Sequence, residues 1–557
     1  MLKFLEVIFD LYLPNLMADI VDVGIVNGDI DYIIKIGSWM LLMAALAVIC
    51  AIVASFLSSK TATGFGRDLR KEIFEKVESF SLEEFDKFGT SSLITRTTND
   101  VNQMQQVVMI MQRMMLRAPL MCIGSIVMAI SKDSRLSTII VVVVPIIAIT
   151  MFIIGRMGMP LFKIMQEKID RLNLVLREKL TGIRVIRAFN RVDYEKKRFD
   201  DANRDLAETA IKVSRIMSIA TPIMMIIMNF TTIAVIWFGG IRIDSGSMQV
   251  GDLMAFIQYI MHIMFSLMMF SMMFIMLPRA SASAVRIGEV LDSTTHINDP
   301  IVPKDKEVKK GKIEFKDVTF SYPGAERPIL SNVSFVTKPG EVTAIIGGTG
   351  SGKSTLINLI PRFYDVDSGS ILFDGVDIRD MTQASLRSKI GIVPQKAFLF
   401  SGTIRDNIRM GKEDATEEEI IHAADIAQAT EFISGLEDGF DSMVAQGGTN
   451  LSGGQKQRLA IARALVRRPE LYIFDDSFSA LDFKTDAKLR KALKNEIGDS
   501  SVIIIAQRIS TVMDADQIIV LDDGQVVGKG VHKDLLKTCK VYREIASSQL
   551  SEEELLA

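Results

Sequence analysis

Val342-Thr343-Ala344-Ile345-Ile346 runs without a charge into Gly347-Gly348-Thr349-Gly350-Ser351-Gly352-Lys353-Ser354-Thr355, and a helical apolar pattern opens at Leu356. A short apolar run bounded by glycine predicts a buried strand. The glycines let backbone N–H groups turn inward onto phosphate oxygens, and the helix N-terminus that follows adds a favourable dipole. In such a loop Lys353 bridges the β- and γ-phosphates and Ser354 ligates Mg²⁺. A glycine-rich loop alone can be a mere turn; strand, loop, lysine and helix in this order specify a nucleoside-triphosphate cradle.

Working outward, a second apolar strand, Leu471-Tyr472-Ile473-Phe474, ends in Asp475-Asp476. A strand that delivers an acid beside the phosphate loop lets Asp475 hold the water shell of Mg²⁺. From Ile313 onward, short β-rich runs alternate with helical ones, the pattern of an α/β domain. The most specific stretch is Leu451-Ser452-Gly453-Gly454-Gln455, followed by Lys456-Gln457-Arg458. With it the chain resembles ATP-binding cassette proteins. The resemblance implies that this signature opens a helix whose N-terminus faces the γ-phosphate held by an opposite cassette, and helix N-termini do attract phosphate. It also implies that Tyr322 stacks on adenine, that Gln395 in Val393-Pro394-Gln395 reaches Mg²⁺ and the attacking water, and that Ser479 to Asp482 match the family's D-loop.

Two positions depart from the family pattern. After Asp475, active members place a glutamate that polarises the attacking water; here it is Asp476. The missing methylene withdraws the carboxylate by roughly one C–C bond, about 1.5 Å. A misplacement of about 1 Å can cost roughly 100-fold in rate. Beyond the strand Val502 to Ile505 and Ala506, the family expects a histidine at the γ-phosphate; here it is Gln507, and none of His262, His296, His422 and His532 is near it in sequence. Glutamine donates through its amide but carries no imidazolium charge. The resemblance therefore narrows to the degenerate-site subunit of heterodimeric bacterial multidrug exporters. Asp476, Gln507 and Gln395 would then form an impaired catalytic set, while Ser452, Gly453, Gly454 and Gln455 complete the partner's site. Ala445-Gln446-Gly447-Gly448, just before the signature, also departs from the usual Gly-Glu-Arg-Gly, which puts ordinary signalling through that loop in doubt.

The remainder of the 557 residues is of another character. Hydrophobic residues make up 48% of the chain and the mean hydropathy is +0.27, both high for a soluble protein. A bilayer core of about 30 Å needs about 20 mostly apolar residues in a helix. Residues 36–57, 116–130, 139–154, 216–238 and 253–277 supply five such runs, the second and third joined as a tight hairpin. Two long charged segments, 58–113 and 156–215, are rich in Lys and Arg and are placed in the cytoplasm by the positive-inside rule. Residues 1–25 are apolar but interrupted by Glu6, Asp10 and Asp19. A weak, shortened first span there is needed to put the amino terminus and the ATP-using half on the same side.

The expected architecture is an all-α transmembrane domain of the six-helix exporter type over 1–291, a linker over 292–311, an α/β P-loop cassette over 312–547 and an acidic tail over 548–557. This places the chain in the cell membrane as a multi-pass protein with a cytoplasmic cassette, using ATP and Mg²⁺. Gly89 to Asp100 and Glu178 to Phe189 resemble the coupling helices that dock on cassettes. Net charge of −3 with no basic stripe argues against nucleic acid as a partner. Cys50, Cys122 and Cys539 have no ligand-like spacing. The expected partners are a second exporter half, membrane lipid and a hydrophobic small-molecule cargo. Met261, Met264, Met268, Met269, Met272, Met273 and Met276 with Phe265, Phe270 and Phe274 offer a flexible apolar face for cargo or for packing. Glu6 and Asp10, one helical turn apart, admit a cationic cargo. Two other readings stand beside the heterodimer: a homodimer in which Asp476 still works slowly, and a regulatory ATP-binding membrane subunit without cargo.

Overall fold

The computed structural model describes residues 1–304 and 310–550, with side chains described for all of these except 270–276, 278, 279 and 483. The chain forms two compact units: Met1–Glu78 with Thr90–Ser293, and Ser79–Gly89 with the chain from Thr294 onward.

The first unit is helical. Among the described residues, five helices are long and apolar enough to cross a membrane, within Ile30–Glu78, Thr90–Lys132, Thr138–Thr181, Val192–Asp244 and Val250–Met269. Val192–Asp244 has 53 residues, about 80 Å at 1.5 Å per residue, more than twice a bilayer core of about 30 Å. Apolar and charged stretches are thus segments of one continuous helix, which runs through Pro222 without ending.

The stretch expected as a weak first span forms a helix, Leu2–Asp19, that runs on through a π-helical turn, Ile20–Ile25; it is not among the five helices long and apolar enough to cross a membrane found in the described residues. Val7, Leu11 and Ala18 are buried in the unit's core beside Phe256 and Tyr259. The Tyr259 hydroxyl donates to the Leu11 carbonyl at 3.0 Å. The acids that interrupt the apolar pattern are paired: Arg117 reaches Glu6 at 3.2 Å and Asp10 at 2.9 Å, and Lys3 reaches Glu6 at 2.6 Å. Buried charge is tolerated when it is paired in this way. That pairing removes the support these acids lend to a cationic cargo.

At the hairpin, Asp133 accepts from the Leu136 N–H at 2.8 Å and from Arg242 Nε at 2.9 Å, tying the turn to the end of Val192–Asp244. Farther along, Asp100 accepts from the Ser283 hydroxyl and from Arg286 Nε, both at 2.8 Å, and Arg96 pairs with Glu289 at 2.8 Å. Residues 90–100 are therefore fastened to the last long helix, Val250–Leu291, within the same unit.

The second unit is α/β. Its strands are β1 (Ile313–Phe320), β2 (Leu330–Val336), β3 (Val342–Gly347), β4 (Ser368–Phe373), β5 (Val376–Asp377), β6 (Ile390–Val393), β7 (Gly402–Thr403), β8 (Met443–Val444), β9 (Leu471–Asp475), β10 (Ser501–Ile505), β11 (Gln517–Asp522) and β12 (Gln525–Gly530). One sheet runs β2-β1-β4-β5 and is antiparallel; the larger runs β12-β11-β3-β10-β9-β6 and is parallel except for β12. β3, β9 and β10 are buried along nearly their whole length, as parallel strands covered on both faces must be. Each fully buried Val, Ile or Leu there contributes about 1.5–3 kcal/mol. Parallel pairing brings the carboxyl ends of β3, β9 and β10 side by side, with Ile505 opposite both Ile345 and Asp475.

The segment that joins the cassette from the membrane half lies just before the expected motif. The helix Leu82–Phe88 is started by Ser81, whose hydroxyl accepts from the Glu83 N–H at 3.2 Å while Glu84 accepts from the Ser81 N–H at 2.8 Å. Glu84 is buried and also accepts from the His296 N–H at 3.4 Å. Asp86 accepts from the Tyr364 hydroxyl at 3.2 Å. The expectation that residues 89–100 carry the docking helix is corrected accordingly: within that stretch only Gly89 belongs to the cassette unit. The second segment contains a short helix, Ile183–Ala188, in the helical unit, with Val185 and Phe189 exposed.

Candidate ATP site

The site is built at the carboxyl ends of three adjacent strands. β3 delivers Gly347 and Gly348, and the helix Lys353–Leu359 begins directly after the loop. Gly352 has φ +93°, and a Cβ on it would meet Leu330 Cδ2 at 2.7 Å, so the loop closes only with glycine there. Lys353 Nζ donates to the carbonyls of Gly347 at 2.9 Å and Gly348 at 2.6 Å, and to Ser351 Oγ at 3.3 Å. Burial pulls the Lys353 ammonium below its ordinary pKa, with Asp475 and Asp476 acting against that. The Tyr322 hydroxyl shares a 3.1 Å hydrogen bond with that of Thr355, which places the ring beside the loop. Its ring meets Phe320 and Tyr364 edge-on at 5.1 and 5.3 Å.

β9 brings in Asp475 and Asp476. Burial raises the Asp475 carboxyl above its usual range, the neighbouring Asp476 charge adds to this, and Ser354 and Lys353 counter it. Burial likewise raises Asp476. Asp476 has φ +45°, a left-handed conformation that Asp adopts more readily than most side chains. Its N–H donates to the Ile505 carbonyl at 2.9 Å, which fixes it against the end of β10. Asp476 Oδ2 accepts from Gln507 Nε2 at 3.1 Å and from Gln395 Nε2 at 3.3 Å. The three side chains that the sequence picks out at separate places thus meet at one carboxylate oxygen.

The donor set fits Mg-ATP: backbone amides and a lysine for the phosphates, with the Ser354 hydroxyl, Asp475 and the Gln395 amide oxygen as hard oxygen ligands for Mg²⁺. Gly350, at φ +85°, completes the loop between Thr349 and Ser351.

The signature opens the helix Gly453–Val466, with Ser452 at its N-cap. Ser452 Oγ accepts from the Gln455 N–H at 3.3 Å, and the Gln455 side chain accepts from the Ser452 N–H at 2.8 Å. This reciprocal pair holds the helix start open, with the amides of Gly453 and Gly454 pointing out of it. Just upstream, Lys456 Nζ donates to the Gly447 carbonyl at 3.0 Å, and Asn450 bridges Ala445 and Met443 at 3.0 and 2.9 Å. In the D-loop, Asp482 caps the next helix through the Thr485 N–H at 3.0 Å.

Two residues at the site and one on the helix Leu82–Phe88 were not singled out from the sequence. Tyr364 links Tyr322 to Asp86 on the helix Leu82–Phe88. Gln549 bonds the backbone on both sides of Arg508. Glu84 is the third, and the Ser81-x-x-Glu84 spacing is a helix-start signal that could have revealed it.

Of the methionine face, Met264 is 5% exposed and lines a small apolar cavity with Ile140, Val143, Thr231 and Ile260. It packs between helices, whereas Met261 and Met268 are exposed at 38% and 39%. Met272, Met273, Met276, Phe270 and Phe274 lie outside the described side chains.

Comparison with known proteins agrees with this geometry. The family description "ABC transporter transmembrane region" matches residues 1–268, and "ABC transporter" matches residues 330–479. The chain is 45% identical over 553 residues to a protein named an uncharacterized ABC transporter ATP-binding protein from Mycobacterium tuberculosis, covering 99% of this chain and 95% of the relative. It is 37% identical to an ATP-dependent lipid A-core flippase of Desulfotalea psychrophila over 87% of this chain and 84% of the relative. A solved bacterial Atm1-family ABC exporter with ATP bound superposes with a TM-score of 0.83 at 27% identity, covering 99% of this chain and 97% of that one.

Proposed function

Since the chain belongs to the ABC transporter family, with membrane region and ATP-binding cassette in one polypeptide, we propose that it is one half of a two-chain exporter whose own ATP site binds more than it hydrolyses. It is a multi-pass membrane protein with a cytoplasmic cassette, and its activity is that of an ATP-hydrolysing transporter.

The observation that carries the finer reading is the carboxylate of Asp476, short by one methylene and held by the amides of Gln507 and Gln395. A general base must reach the attacking water at about 2.6–3.2 Å. An aspartate here is retracted by one methylene, and its Oδ2 is already occupied by two amide donors rather than free to meet the water. Bound Mg-ATP supplies the phosphoanhydride and the metal's charge neutralisation. On this reading Lys353 and the loop amides hold the phosphates, Ser354, Gln395 and Asp475 orient Mg²⁺, and Tyr322 carries the base. Ser452 and the amides after it serve the site of a second exporter half. That arrangement makes the partner's competent site the one that turns over.

Cargo on this reading is an amphipathic compound taken from the membrane. The flippase relatives and the absence of an unpaired acid at Glu6 and Asp10 favour a lipid-like molecule over a cationic one. The test is ATPase activity of the purified chain alone and with a second half that carries glutamate and histidine at the two positions. Little turnover alone and full turnover together is expected. Equal turnover by the chain alone would replace this reading with a slowly or normally hydrolysing homodimer.

A further inference from the structure

The loop that follows β10 carries Gln507 to Asp476, yet its backbone has left the sheet. The last sheet-like bond is from the Ala506 N–H to the Ile345 carbonyl at 3.3 Å. Beyond it the loop is held from a different part of the chain. Gln549 Nε2 donates to the Gln507 carbonyl at 2.8 Å, and Gln549 Oε1 accepts from the Ile509 N–H at 2.8 Å. One planar amide therefore satisfies a carbonyl and an N–H two residues apart, as a paired strand would. With both ends of the peptide pair fixed, the Gln507 backbone has little freedom to swing its side chain away from Asp476.

The brace is itself anchored. Gln549 follows the helix Lys540–Ser547, and its N–H donates to the Ala546 carbonyl at 3.0 Å. Tyr542 and Ala546 on that helix are fully buried, and the Tyr542 hydroxyl meets His532 Nδ1 at 2.7 Å. The helix packs against β3, the strand that delivers the phosphate loop. Gln549 is exposed and makes no contact with Asp476 or Lys353 among the described bonds, so burial does not explain its geometry.

We propose that Gln549 is a positioning residue that sets the angle at which Gln507 reaches Asp476, making the carboxyl-terminal helix part of the ATP site. The proposal rests on the reading of Asp476 and Gln507 as groups of the ATP site, but not on whether that site hydrolyses. It is a role for the chain's own terminus in shaping the carboxylate beside the phosphate cradle.

The experiment uses the full-length chain in lipid nanodiscs with ¹⁵N-glutamine labelling, the Gln507 side-chain amide being assigned by its loss in Gln507→Ala. The readout is the change in that amide signal on Asp476→Asn, measured with Gln549 intact and with Gln549→Ala. Amide exchange at Ile509 is followed in parallel. Removing the brace should speed Ile509 exchange about two- to tenfold, the weight of one net hydrogen bond, and should abolish or strongly reduce the response of Gln507 to Asp476→Asn. Gln549→Glu, which keeps the acceptor for Ile509 and loses the donor to Gln507, should protect Ile509 but still lose the Gln507 response; it also serves if Gln549→Ala does not fold. Mg-ATP affinity close to that of the parent reports an intact cassette. Faster Ile509 exchange with an unchanged Gln507 response would overturn the proposal and leave Gln549 as a loop brace only. An unchanged Ile509 would overturn it as well. Turnover is not the readout, so a fully active homodimer would sink the impaired-site reading and leave this one standing.

Discussion

Gln507 Nε2 donates to Asp476 Oδ2 at 3.1 Å, a bond between residues 31 apart in sequence that parallel pairing of β9 and β10 brings together. The bond ties up the carboxylate oxygen that a general base would turn to water. It also couples the two departures from the family pattern into one feature. Restoring either side chain alone leaves the other in a mismatched pair.

We therefore expect Asp476→Glu by itself to leave turnover at this site within about twofold of the parent. Glutamate is also less at ease than aspartate at φ +45°. Asp476→Glu with Gln507→His should raise it by about 10²- to 10⁴-fold, the usual gain from a positioned acid–base pair. Single-turnover hydrolysis in the four variants checks this. A large gain from the first change alone would contradict it.

Ser452→Ala removes a helix cap, worth about 1 kcal/mol, and, on the proposed reading, a donor to the phosphate of a second half's site. Loss of such a donor typically costs about 100- to 1000-fold in turnover. Lys353→Ala should instead weaken nucleotide retention in this chain by about 10- to 100-fold, the range of charge-assisted bonds, with a smaller effect on turnover of the pair at saturating ATP. Comparing the two variants in the same two-chain complex decides which site is competent. The reverse ranking would exchange the assignments.

Burial pushes the Glu84 carboxyl up, but the bonds from Ser81 and the His296 N–H outweigh it and hold it below the usual glutamate range. A depressed carboxyl contributes stability that is present above the unfolded value of about 4.3 and is lost as pH falls through the lower folded value. The helix Leu82–Phe88 should consequently loosen from the cassette below about pH 4. In Glu84→Gln that acid step should be absent, at the cost of weaker docking at neutral pH. Amide exchange of residues 82–88 against pH measures both.

A cysteine at Met268 should react with a membrane-permeant thiol reagent, whereas one at Met264 should stay protected with or without cargo, given 39% against 5% exposure. Met264→Ala should lower the stability of the helical unit by about 2–5 kcal/mol, as large-to-small core changes do. Strong cargo-dependent labelling at position 264 would reopen that face as a cargo surface.

What the sequence could disclose depended on distance along the chain. The strand Val342–Gly347, its loop and the helix after it are encoded within some twenty residues, and the Ser452 cap within four, so local pattern alone located them. Asp475 was readable because it ends an apolar strand of unmistakable composition, and Gln507 because the family pattern places a histidine two residues past the apolar strand Ser501–Ile505. The pairing of Arg117 with Glu6 and Asp10 was not readable, since the partners are separated by more than a hundred residues and nothing local marks the match. Gln549 escaped for the same reason: an exposed glutamine near the end of a chain carries no signal until the loop it grips is placed beside it.

The inclusion of Ser79–Gly89 in the cassette unit has a practical corollary for domain exchange. A cassette cut from Thr294 onward and grafted onto another transporter's membrane region would leave behind Asp86 and Glu84, the acceptors for Tyr364 and the His296 N–H. Its host would supply a foreign helix at that seat. Chimeras that carry residues 79–89 along with the cassette should keep these bonds, whereas those cut only once lose them, however well each half folds by itself.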